Sequence, residues 1–546
     1  MGKVSRCCFL LTGLLLAARL LRAEEGIRGN LVTASWLQNH RTTAEVLVLD
    51  ASPAQAYAAN HIPGAISVDL FTYGLPETAA AEMETRFQSW GVSPGKKVVL
   101  YDQGGNILAT RVLFSLYYYG FPANNLFILD GGFFKWQQEG LPVTKESTPA
   151  PQPGSFRITE PKLEAAVDLP EFLTASGDPV HNVLLEALGA DWHFGEVRAF
   201  DRAGHIPHGI LLPSADFYNP DRTFKSPQEI GKMLAYLGVR PDQRVYTYCG
   251  GGVAASVPFF ALKFILNYPD VKLYRESELG WLADERGLPY WTYDAPFLMR
   301  GATQVQFWTS PMPRAMGLVH ASVVDVRPAQ TFNQGHVPFA LNIPAELFQR
   351  NLADPAKLSE ILGAAGVQAS DEAVVVSDAG LSPESALAFL MLEKLGQKRT
   401  SVLMDSMDRW AQLGFALPKE ATAVGPKKFP QDLSIPPAAY AAKLRQGILI
   451  TDTASTEGVY PKVFLASGRN VPAQVPEGKV VHVAYTDLLN PDGTPKAAKD
   501  LWKILVKAGV PRYAELVCFS ENAGEAAVNY FILKLMGYPD IKVLVL

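Results

Sequence analysis

The chain has 546 residues, too many for one hydrophobic core, and a guide of about 100–200 residues per domain predicts three to five. Its 48% hydrophobic and 19% charged residues and net charge of −5 describe globular material. They exclude the basic surplus of a nucleic-acid binder and the bias of a disordered chain.

At the N-terminus, Lys3 and Arg6 precede the apolar run Cys7-Cys8-Phe9-Leu10-Leu11-Thr12-Gly13-Leu14-Leu15-Leu16-Ala17-Ala18, and Ala23 is followed by Glu24 and Glu25. This is the layout of a signal peptide over 1–23. The run is about a dozen residues, short of the roughly 20 needed to span a bilayer, so a soluble periplasmic or secreted protein is expected, with an uncleaved anchor extended by Leu20 and Leu21 as the alternative. Two of the four cysteines fall in this segment, which leaves Cys249 and Cys518 and no disulfide framework.

Further along, an apolar strand ending in an acid is followed by a turn containing His-Ile/Val-Pro. The copies are Val46-Leu47-Val48-Leu49-Asp50 with His61-Ile62-Pro63, Val183-Leu184-Leu185-Glu186 with His205-Ile206-Pro207, and Val323-Val324-Asp325 with His336-Val337-Pro338. A degraded fourth copy is expected at Ile448-Leu449-Ile450-Thr451-Asp452, with Phe464 where the histidine would stand, upstream of Asn470-Val471-Pro472. A longer repeat overlies these. Asn219-Pro220-Asp221-Arg222-Thr223 recurs as Asn490-Pro491-Asp492-Gly493-Thr494, and Tyr268-Pro269-Asp270 as Tyr538-Pro539-Asp540, both about 270 residues on. A two-module unit is therefore used twice.

The Pro-rich stretch 148–154 and the polar stretch 418–428 read as linkers. The predicted domains are 24–147, 155–297 with Cys249, 303–417 and 429–546. Inside each, β-branched strands such as Val98-Val99-Leu100-Tyr101 and Val374-Val375-Val376 alternate with amphipathic helical stretches such as 384–390. The fold class is therefore α/β: four domains, each a parallel sheet flanked by helices, arranged as two tandem pairs. Ligands of such sheets sit where a strand turns into a helix.

Four turns of that kind can be compared, and one opens on a thiol. Module 2 reads Val245-Tyr246-Thr247-Tyr248-Cys249-Gly250-Gly251-Gly252-Val253-Ala254-Ala255, while the matching positions are expected to be Asp102, Asp378 and Ser520. Glycines let backbone N–H groups curl around a common centre, and the helix that follows adds its own unpaired N–H groups. Negative sulfur, as thiolate or persulfide, is stabilised in such a nest. Cys249 is therefore the candidate nucleophile, with Gly250, Gly251, Gly252, Val253 and Ala254 as its cradle. Cys518, inside the apolar run Leu516-Val517-Cys518-Phe519, reads as a core cysteine.

With these residues the chain resembles the rhodanese superfamily, and modules 1 and 2 resemble the tandem-domain thiosulfate and 3-mercaptopyruvate sulfurtransferases. The likeness rests on His61-Ile62-Pro63-Gly64-Ala65, on Leu129-Asp130-Gly131-Gly132-Phe133-Phe134-Lys135-Trp136, and on Tyr248-Cys249-Gly250-Gly251-Gly252 with Ser277-Glu278-Leu279-Gly280-Trp281. It implies an inactive first module and a second whose Cys249 forms a persulfide and passes the sulfur on. The expected partners are a small anionic sulfur donor and a thiol, cyanide, sulfite or sulfur-accepting protein as acceptor. The sequence departs from the family in placing Leu188 and His193 where arginines are expected and Ala254 where the loop carries a hydroxyl. Arg198, Arg202 and His193 are the candidates for gripping an anionic donor, the guanidinium fork matching carboxylate or sulfonate oxygens.

His205 recurs as His61 and His336 in modules without the cysteine, so a turn-bracing role is expected rather than base catalysis. Phosphatase chemistry calls for an arginine in the loop, and none stands between Cys249 and Ser256. A persulfide carrier without small-molecule turnover is the alternative function. No metal-ligand cluster, Walker loop or dinucleotide fingerprint is present in the sequence, so no cofactor and no metal are expected.

Overall fold

The computed structural model describes residues 26–72, 79–105, 107–198, 201–429, 431–453 and 458–546. The predicted signal segment, with Cys7 and Cys8, lies outside them. Among the described residues no helix is long and apolar enough to cross a membrane. The chain forms two compact units. The first holds the described residues up to His193 with Val197–Ala235 and Val239–Tyr290; the second holds Trp291–Leu546 with Phe194–Glu196 and Tyr236–Gly238.

Four sheets are present among the described residues, two in each unit, and they share one strand order. In the second it runs Ala166–Val167, Val271–Tyr274, Arg244–Tyr248, Asn182–Glu186 and Gly209–Leu211, every neighbouring pair parallel. The first sheet repeats this with Leu31–Val32, Leu126–Leu129, Lys97–Tyr101, Val46–Asp50 and Ile66–Ser67, and adds the antiparallel edge strand Ile27–Arg28. The third begins with Met299–Arg300, paired with Arg399–Leu403, so its domain starts slightly before the expected residue 303.

The register corrects two sequence assignments. In the fourth sheet Leu449–Ile450 is a short edge strand against Ile541–Val545. The strand equivalent to Val46–Asp50 is Lys462–Ala466, with Phe464 inside it and Ala466 opposite Phe519. In the third, Asp325 lies opposite Val376 and Val326 N–H donates to Val376 O, as Ala187 does to Tyr248 and Ala51 to Tyr101. The residue matching Cys249 is thus Ser377, buried, with its hydroxyl donating to Gly380 O at 2.8 Å. Asp378 lies one position too far and points outward.

Each module has its own apolar core. In the second, Phe172 stacks on Tyr274 at 4.2 Å and packs against Tyr246, Tyr248 and Trp281. Three modules close with a tryptophan whose indole N–H reaches a carbonyl six or eight residues on: Trp136 to Pro142, Trp281 to Pro289 and Trp410 to Ala416. Within the first unit the helix Ile107–Tyr118 meets the helix Ser256–Phe260, Phe114 lying edge-on to Phe259 at 4.9 Å and Thr110 bonding Ser256 at 2.8 Å. The second unit repeats this with Pro383–Lys394 and Ala523–Leu535, where Phe389 meets Phe531 at 4.9 Å.

Candidate active site

After its exposed Arg244, the strand Arg244–Tyr248 is built of β-branched and aromatic residues buried on both faces, and it ends where Cys249 begins the loop. Gly209 makes room for the end of this strand, since a Cβ there would lie 2.0 Å from the Tyr248 hydroxyl. Cys249 is 2% exposed. Its Sγ accepts a hydrogen bond from Gly252 N–H at 3.1 Å. Gly252 sits at φ +81°, and a Cβ would meet Arg275 O at 2.5 Å, so glycine is required to turn that amide toward the sulfur.

The remaining cradle residues have other tasks. Gly250 O accepts from Leu279 N–H at 3.0 Å, while Val253 O and Ala254 O accept from Ser256 N–H and Val257 N–H to start the following helix. The loop is thus clamped from one side by the helix Ser277–Ala283. There the Ser277 hydroxyl accepts Cys249 N–H at 3.1 Å, and Glu278 N–H donates to Cys249 O at 3.0 Å.

Module 1 shows what the same turn does with a different first residue. Asp102, buried, accepts from Gly104 N–H at 2.9 Å with one oxygen and from Leu108 and Ala109 N–H at 3.0 and 3.2 Å with the other. In module 1 three amides of the turn converge on the carboxyl, and in module 2 the Gly252 amide reaches the sulfur. In module 4 Ser520 is buried and donates to Glu525 at 2.5 Å.

The candidate donor-binding residues are placed differently from expectation. His193 is fully buried, bonded through Nδ1 to Glu186 and stacked on His205 at 3.6 Å, so it is not a surface cation for a substrate. The physical reason is visible in module 3, where Arg327 clamps the strand-end acid Asp325 at 2.7 Å. Module 2 has Leu188 at that position, and His193 holds Glu186 instead. Arg198 donates to Asp201 O. Arg202 donates to Leu288 O at 2.7 Å and lies over the Tyr290 ring at 5.6 Å. The turn histidines are all buried: His205 Nδ1 lies 2.9 Å from His193 O, His61 stacks on Tyr57, and His336 on Phe332.

Glu186, His193 and His205 have side chains of metal-ligand type within 4.8 Å of one another. Their geometry does not suit one ion. The two rings lie face to face with planes 2° apart, so an ion shared between them would stand half of the 3.6 Å separation out of each plane. An imidazole–metal bond of about 2 Å lies in the ring plane.

Glu278, which sequence reasoning quoted only as part of a motif, is the unexpected member of the site. It is fully buried, and burial, then the nearby Glu186, push its carboxyl far above the ordinary glutamate range. Tyr290 beside it is pushed up by the same burial and by Glu278 itself.

A rhodanese-like domain model matches residues 33–139 and 313–413, which are modules 1 and 3. A probable 3-mercaptopyruvate sulfurtransferase of Pseudomonas aeruginosa is 31% identical over 277 residues, 47% of this chain and 96% of its own length. The chain belongs to the rhodanese superfamily. It is an enzyme of the sulfurtransferase type, with a sulfur donor and an acceptor as its substrates. A sulfur carrier protein of Thermus thermophilus is 29% identical to this chain over 46% of it and 93% of its own length. A solved 3-mercaptopyruvate sulfotransferase of Escherichia coli covers 46% of the chain and 98% of its own at 28% identity, with a TM-score of 0.42.

Proposed function

We propose that this protein moves sulfane sulfur from thiosulfate or 3-mercaptopyruvate to cyanide, sulfite or a thiol through a persulfide on Cys249. The observation that carries this reading is the Gly252 amide donating to Sγ at the mouth of a strand-to-helix turn, where sulfur anions are stabilised. Transfer is two-step: the thiolate attacks the donor sulfur, the first product leaves, and the acceptor collects the outer sulfur. The low exposure of Cys249 sets a requirement that the glycine loop opens for the donor.

Incubation with either donor is expected to add about 32 Da, one sulfur atom, to the peptide bearing Cys249 and nothing to a Cys249→Ser protein. Absence of the adduct with both donors counts against the assignment. Cys518, fully buried with its thiol pushed up by desolvation, stays unmodified. A second reading is favoured by the relative named as a sulfur carrier: a persulfide donor to another protein, with no turnover of small acceptors. Steady-state turnover with cyanide separates the two. The N-terminal layout further supports an exported enzyme, checked by finding Glu24 as the first residue of the mature chain.

A further inference from the structure

Glu278 is held against the nucleophile by a strained turn. Ser277 has φ +52°, which non-glycine residues rarely adopt, and its hydroxyl ties Tyr274 O to Cys249 N–H. The next peptide N–H, that of Glu278, is bonded to Cys249 O. The same position in module 1 is Phe133, whose N–H bonds Asp102 O at 2.8 Å after Gly132 at φ +59°. Phe133 is a core residue beside an inert aspartate, whereas its counterpart beside the thiol is an acid. A buried phenylalanine would serve packing equally well in module 2, so the acid needs a chemical explanation.

Three groups face its carboxyl, with others behind them. Glu186 comes from the end of the neighbouring strand, with His193 bonded to it and His205 stacked beyond; Tyr290 comes from the segment after the helix, with Arg202 over its ring; Cys249 comes from the loop. Both Glu278 oxygens are buried, and the side chains within hydrogen-bonding reach of them are Glu186 and Tyr290. Two adjoining buried carboxyls do not both ionise, and Glu186 has the histidine. Glu278 is then the neutral one, a carboxylic acid beside a sulfur nucleophile, which is the arrangement of a proton donor.

Building on the Cys249 assignment, we propose that Glu278 is the catalytic acid of sulfur transfer from an α-keto thiol of the 3-mercaptopyruvate kind, a role that transfer from thiosulfate does not call on. The Cys249 thiolate attacks the donor sulfur, an S–S bond forms, and the C–S bond breaks with its electron pair going to carbon as an enolate. Glu278 gives its proton to that carbon, releasing a methyl ketone. The proton on the transferred sulfur passes to the Glu278 carboxylate, leaving a persulfide anion under the Gly252 amide and the acid restored. No oxidant or reductant is consumed. Thiosulfate has no such need, because sulfite departs with its electron pair unprotonated.

The test compares wild type with Glu278→Gln in the full chain, following pyruvate release from 3-mercaptopyruvate and persulfide formation from thiosulfate, each across pH. The expected result is a selective loss: pyruvate release falls on the order of 10²-fold relative to the thiosulfate reaction of the same variant, the usual worth of a general acid. Glu278→Asp recovers part of it. Equal loss on both donors assigns Glu278 a structural role and overturns the proposal, as does an unchanged rate of pyruvate release. A wild type that takes sulfur from thiosulfate alone overturns it too while leaving Cys249 as the sulfur carrier. Failure of both donors with wild type removes the Cys249 reading instead.

Discussion

A carboxyl that stays neutral in the folded chain and ionises in the unfolded one makes stability depend on pH. Unfolded, Glu278 loses its proton near pH 4.3. Folded, burial and Glu186 keep the proton on well above that. Folding therefore takes up a proton over this window, and the contribution of Glu278, fully present below the unfolded value, is lost as pH rises. Glu278→Gln has no proton to take up. Wild type is thus expected to lose stability relative to Glu278→Gln between about pH 5 and 7, with a limiting slope on the order of 1.4 kcal/mol per pH unit. Urea unfolding of both proteins at several pH values measures the difference; parallel curves would show that Glu278 ionises normally.

Residues differed in how far the sequence betrayed them. The turn at Cys249 was legible because three glycines after a thiol have few uses other than turning amides inward. Glu278 was not, since a charged residue within a helical stretch ordinarily faces water, and the strained Ser277 that turns it inward leaves no mark in hydrophobic periodicity. A signal was nonetheless present in the internal alignment: the position holds Phe133 in the first copy, so a core location could have been inferred for the acid. His193 misled for the converse reason. A histidine near the expected place of an arginine suggests a donor contact, while its partner Glu186 becomes evident only when strand end and helix are folded together.

At the scale of elements, the sulfur loop is a seven-residue turn held at both sides, by the amide of Gly252 and by the helix Ser277–Ala283. Gly252→Ala tests how much the turn depends on one dihedral. A side chain at φ +81° costs about 1–2 kcal/mol, and the Cβ would press on Arg275 O, so the amide must swing away from the sulfur. Persulfide formation is expected to fall on the order of 10²-fold, comparable with losing one preorganised donor to a developing anion. Mass spectrometry after a short pulse of donor reads this directly, and an unaltered rate would mean that the sulfur is stabilised elsewhere.

The strands themselves were legible as parallel-sheet material, but two assignments slipped by register. Ser377 and Asp378 are adjacent polar residues after Val376, and composition cannot choose between them; the pairing of Asp325 with Val376 does. The short edge strand Leu449–Ile450 carries the same local apolar pattern as a central strand. Only the pairing of Lys462–Ala466 with Glu515–Ser520 shows which of the two lies in the middle.

For the whole molecule, the paired use of a two-module unit was the clearest message of the sequence, and each unit contains two complete sheets with their own cores. All the groups assigned to sulfur chemistry lie in the first unit. A chain ending after residue 297 is therefore expected to fold and to form the Cys249 persulfide, measured by far-UV circular dichroism and the same mass shift. An unfolded or inert fragment would give the second unit a part in building the site.

The second module of each unit also reaches into the first through a duplicated turn. Asn219 bonds Thr223 at 3.1 Å and Asn490 bonds Thr494 at 3.0 Å. Arg222 then donates to Gln103 O, beside Asp102, and Gly493 O accepts from Leu381 N–H, beside the loop opened by Ser377. In both units the loop of the first module is thus the one that the second module plugs.

Asp102 shows what such a turn does without a sulfur. Its side chain fills, from within the chain, the space that a turn of inward amides leaves at its centre. One acidic side chain thus plugs the receptor while the backbone keeps its shape for holding the neighbouring module, where Arg222 meets Gln103 O.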